Sequence, residues 1–107
     1  PFWEGANIDN SLLQLRQMYA ITQKIANGKE IIITETGWPS QGEAVKNANS
    51  TKLNAMKYFI QTQQWAKSEN IEMYHFSSFD ESWKVNVEGE VGARWGLWDK
   101  DENLKYN

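Results

Sequence analysis

Cysteine is absent from this 107-residue chain, and histidine occurs once, at position 75. The first absence excludes disulfides and thiolate-bound zinc and leaves the redox compartment open. The second leaves no pair of imidazoles for a metal site. No apolar run is long enough to span a bilayer. Positive charge is not in excess either: 11 Lys and Arg stand against 14 Asp and Glu, a net charge of −3. That balance gives no electrostatic case for a nucleic-acid or membrane partner. Internal repeats and low-complexity linkers are missing. So are an opening methionine and a signal-like segment, and a chain that opens on Pro1-Phe2-Trp3-Glu4-Gly5 reads as part of something longer.

What is present is apolar and aromatic. Hydrophobic residues make up 40% of the chain, enough for one small globular domain, and there are six tryptophans. Residues 10–27 carry apolar groups at Leu12, Leu15, Met18/Tyr19, Thr22 and Ile25, the spacing of a helix. Asp9 or Asn10 is the expected cap, and Asn27-Gly28 the left-handed stop. Glu30 to Glu35 reads as a buried parallel strand, rich in isoleucine without polar alternation. Residues 36–49 read as a loop. A second helix is expected over 51–68, capped by Ser50, with Leu53, Met56, Phe59/Ile60 and Gln63 inward. Residues 71–79 form a second β-prone run. After a long loop, Arg94-Trp95-Gly96-Leu97-Trp98-Asp99 reads as a short extended piece.

Helix, strand, helix, strand is an α/β order with parallel strands. Two such strands cannot close a sheet, and their edges expose unpaired backbone groups. In a barrel of such units, reactive groups sit at the C-terminal ends of strands. Glu35 is at one such end, and alternation predicts that Ile31, Ile33 and Glu35 share the inward face. The second run leads directly into Asp80, Glu81 and Lys84. Consecutive parallel strands that each end in a carboxylate suit glycoside chemistry.

The stretch Ile33-Thr34-Glu35-Thr36-Gly37-Trp38-Pro39-Ser40 resembles the nucleophile motif of glycoside hydrolase family 17, the β-1,3-glucanase and glucanosyltransferase family. Phe79-Asp80-Glu81-Ser82-Trp83-Lys84, about 45 residues later, resembles the family's last-strand motif, and the Pro1–Gly5 opening resembles the end of its sixth strand. The resemblance covers essentially the whole chain. It implies the C-terminal fragment of a (β/α)8 TIM barrel, about strands six to eight, with residues 1–107 as the C-terminal portion of one catalytic domain. It also implies a retaining enzyme on β-1,3-glucan, needing no cofactor, located outside the cell, in the cell wall or in the periplasm. Glu35 takes the nucleophile's role. Glu81 and Lys84 match family positions near it, and Glu90 matches a further family acid. The family's general acid lies on the fourth strand, outside this chain, so these residues alone are expected to be inactive.

Flat apolar sugar faces call for aromatic platforms. Trp38, Trp83, Phe2 and Trp3 are the candidates for β-glucan contact. Structural readings stand beside these: a surface ion pair for Glu81 and Lys84, a structural Asp80, a satisfied core His75, Trp65 on the barrel wall, and Trp95 and Trp98 either closing the barrel's end or touching sugar. The competing reading of the whole is a non-catalytic β-glucan-binding fragment, or one that self-associates or pairs with the missing N-terminal part of the barrel.

Overall fold

The computed structural model describes residues 1–106. Its elements are α1 (Ile8–Ala26), β1 (Ile32–Thr36), α2 (Lys52–Ser68), β2 (Glu72–His75), a 3-10 turn (Ser82–Lys84) and α3 (Val85–Gly92). Strands β1 and β2 pair in parallel, and Phe79 and Trp98 add a parallel bridge beyond them. The extended piece expected near Trp95–Asp99 is therefore the place of a third strand. Among the described residues no helix is long and apolar enough to cross a membrane.

Helices α1 and α2 each start at a cap other than the one expected. Asn7 caps α1, its Oδ1 accepting from the Asp9 amide at 2.8 Å. Thr51 caps α2, its Oγ1 accepting from the Asn54 amide at 3.0 Å. In each case a side-chain oxygen satisfies an amide that helix geometry leaves free, and nearby residues compete for that place. Asn27 ends α1 in the left-handed conformation, as expected.

The inward stripes also differ. In α1 the buried residues are Ser11 and Leu15, and Tyr19 meets the edge of Trp65 at 5.6 Å, while Met18, Thr22 and Ile25 are exposed. In α2, Ala55, Tyr58, Thr62, Trp65 and Ala66 are buried, and Leu53 is exposed. Tyr58 and Thr62 point inward because their hydroxyls find partners there, Thr62 donating to the Tyr58 carbonyl at 2.8 Å.

The core gathers Phe2, Trp38, Ala48, Ala55, Tyr58, Val91 and Trp95. Its aromatics meet edge to face, Phe2 lying 5.2 Å from Trp38 and 5.5 Å from Trp95. Below it Asp80 is buried. Its Oδ1 accepts from Lys105 Nζ at 2.5 Å and from the Gly96 amide at 2.9 Å. The Arg94 guanidinium stands 3.6 Å from Oδ2. Asp80 is therefore a structural clamp, as its sequence context suggested. His75 does not match the satisfied core histidine expected: it is half-buried, its ring meets Phe59 edge-on at 4.8 Å, and its Nδ1 has no hydrogen-bond partner.

Candidate active site

The direction of Glu35 depends on register. Ile32 pairs with Glu72 and Ile33 with Met73, but Thr36 pairs with His75. Strand β1 thus holds one residue more than β2 in the same interval, a bulge at Thr34-Glu35. Thr36 and His75 face α2, where they meet Tyr58 and Phe59. Counting back by twos from His75, Met73 and its partner Ile33 also face the helices. The expectation that Ile31, Ile33 and Glu35 share the inward face is therefore corrected. Ile32, 44% exposed, and Thr34 lie on the face away from the helices, beside Glu72 and Tyr74. Glu35 stands clear of the helices only because of the added residue, and it is exposed to a cleft.

That cleft has a volume of about 470 Å³. Glu35, Glu4, Glu88 and Lys84 supply its charged groups, and Trp3, Phe76 and Trp95 its aromatic wall. Trp3 is 57% exposed and its ring lies 5.7 Å from Trp95, so it can present a face to a flat ligand. Phe2 also borders the cleft, but at 1% exposure it serves as floor rather than platform. Lys84 Nζ sits 3.0 Å from Glu81 Oε1 and 4.9 Å from the Phe76 ring centre. A cation is thereby held at the cleft wall by a carboxylate that does not itself line it.

Trp38 is not in the cleft. It is 2% exposed in the core, and its indole N–H donates to the Asn49 carbonyl at 2.8 Å. Further barrel around this chain can only cover it more, so it has no face to offer a sugar. Trp83 is exposed outside the cleft, with Lys84 Nζ 5.4 Å from its ring centre. Trp98 pairs with Phe79 at 5.8 Å and closes the end of the sheet. Glu90 is turned aside and held by Arg94, with Oε1 2.6 Å from Nε.

Glu88 lines the cleft in place of Glu90. Two glycines allow this. Gly89, at φ 75°, breaks the helical run directly after Glu88. Gly92 leaves room, since a Cβ there would stand 2.2 Å from Glu88 Cβ. Glu4, the other cleft carboxylate that sequence reasoning passed over, accepts from Gln14 Nε2. Its signal was in plain view, one position from Trp3 in the opening motif.

A profile of the BtgE/BtgC glycoside hydrolase domain matches residues 1–96. The chain belongs to that glycoside hydrolase family. A family 17 β-1,3-glucanosyltransferase from Rhizomucor miehei superposes with a TM-score of 0.92 at 35% identity, over 99% of this chain and 38% of that one. An active-site mutant of the same enzyme, solved with laminaritriose, gives 0.92 at 34%. A glucan 1,3-beta-glucosidase of Saccharomyces cerevisiae is 25% identical over 99% of this chain and 36% of its own length. The glycoside hydrolase chain thus spans about a third of the relatives it matches. Its fold is that of a fragment of an α/β barrel, and the resemblance to family 17 read from its motifs holds.

Proposed function

We propose that this chain supplies the nucleophile half of a retaining active site on β-1,3-glucan, in an enzyme that works outside the cell or in its wall. The observation that carries the reading is the place of Glu35, at the C-terminal end of β1, facing a cleft with Lys84 and Trp3. One Glu35 carboxylate oxygen attacks the anomeric carbon as the bond to the leaving glycosidic oxygen breaks. The leaving oxygen takes a proton from a second carboxylic acid, which lies outside residues 1–107 and about 5–5.5 Å from Glu35 in a retaining site. That group then takes a proton from water or from a sugar hydroxyl, which attacks the same carbon and frees Glu35. Water gives hydrolysis; a sugar hydroxyl gives glucanosyl transfer. Lys84 places a cation on the wall of the same cleft as Glu35, and Trp3 offers a platform for a glucose ring.

In the complete enzyme Glu35→Gln should lower turnover of a soluble β-1,3-glucan at least ~10³-fold while sugar binding stays measurable, because the covalent step has no substitute. Normal turnover in that variant would remove the assignment. The 107-residue chain alone should show no turnover. A real rate from it would mean that the site is complete within these residues.

A further inference from the structure

We propose that the buried hydroxyl pair Tyr58–Thr36 is the positioning device that aims Glu35 into the cleft. The inference rests on the nucleophile reading above. Neither side chain's hydroxyl is a catalytic group. Tyr58 is fully buried in the core, and its oxygen lies 2.7 Å from Thr36 Oγ1. Burial pushes the phenol up to about 12, so it stays a neutral donor and acceptor at any working pH.

The bulge explains why this bond matters. An extra residue in one strand has no partner in the ladder and holds only if the residues around it are fixed. On the near side, Ile33 is fixed by pairing with Met73. On the far side, Thr36 is fixed twice. Its carbonyl accepts from the Phe76 amide at 2.8 Å, and its hydroxyl bonds Tyr58. The Phe76 bond sets how far along β2 the strand has reached. The Tyr58 bond sets which way Thr36 points. If Thr36 turns, strand alternation allows Glu35 to fall back toward α2, where an unbulged strand would put it. Tyr58 thus reaches the cleft through one neighbour, from 22 residues away in sequence. Small displacements suffice, since misplacing a reacting group by about 1 Å can cost ~10²-fold in rate.

The test uses the complete enzyme. Tyr58→Phe removes one oxygen from a packed ring, and Thr36→Val removes the other. Each should lower kcat about 10-fold or more with KM within about twofold, the pattern of a group felt only when the reaction proceeds. A fluorosugar donor that traps the glycosyl-enzyme should label Glu35 more slowly by the same factor. The double variant should lose no more than either single one, because both remove one interaction. Thr36→Ser, which keeps the hydroxyl, should recover most of the rate. A lower melting temperature with kcat and labelling unchanged would make the pair merely structural and overturn the inference. If Glu35→Gln itself turns over normally, the nucleophile reading fails first. If Glu35→Gln is inactive and Tyr58→Phe is not impaired, only this inference fails.

Discussion

The residues that decide this cleft are chosen by what surrounds them, and His75 shows the effect most directly. Its ring is largely buried against Phe59, its Nδ1 has no hydrogen-bond partner, and burial lowers its pKa to about 4. A free histidine titrates near ~6.5. Between those values the unfolded chain holds a proton that the folded chain refuses, so stability rises with pH there. The contribution is whole above pH ~6.5 and is lost as pH falls toward about 4, on the order of 3 kcal/mol. Urea unfolding of the complete enzyme at pH ~7 and ~4.5 should show the loss, and His75→Phe should flatten it. An equal slope in that variant would place the proton uptake elsewhere. Trp38 teaches the same lesson from the apolar side. Its position three residues after Glu35 suggested a sugar platform, but spacing does not reveal which indoles are covered. Only packing against Phe2 and Tyr58 does.

At the scale of elements, helices, strands and their order were legible because period and punctuation are local properties. The direction of Glu35 was not. Period-2 counting placed it with Ile33, and the bulge breaks that count. The exchange of Glu88 for Glu90 has a similar origin, since the left-handed turn at Gly89 redirects the preceding side chain. The end of β1 also depends on Gly37. A Cβ there would stand 1.9 Å from the Phe76 carbonyl oxygen, which belongs to the backbone and cannot swing aside. Gly37→Ala should therefore part the strand ends just beyond Glu35. We expect a stability loss of about 1–3 kcal/mol, read by denaturant unfolding, together with reduced turnover. A variant with wild-type stability and rate would show that the two strands need no such close approach.

At the scale of the whole molecule, the chain is a sheet with one bare side. Helices cover the face that carries His75 and Thr36, while Ile32 and Tyr74 stand exposed on the other. Both parallel edges also carry unpaired backbone groups. The 107-residue chain on its own should therefore self-associate, seen as sedimentation faster than a 12.4 kDa monomer. Ile32→Lys should shift it toward the monomer. A well-behaved monomer at high concentration would mean that the bare face is tolerated. The barrel fragment was legible in the order of elements and the two motifs. The open face was legible only as a shortage of strands, because no residue pattern names an absent neighbour.

The clamp at Asp80 has a consequence for the order in which the protein is made. The carboxylate leaves the ribosome 25 residues ahead of the lysine that neutralises it. At about 5–20 residues per second, that is an interval of a few seconds. Until Lys105 arrives, enclosing Asp80 would bury a charge that lacks its closest counter-ion, so water must keep its place there. This corner therefore cannot close dry around an ionised Asp80 before Lys105 has emerged.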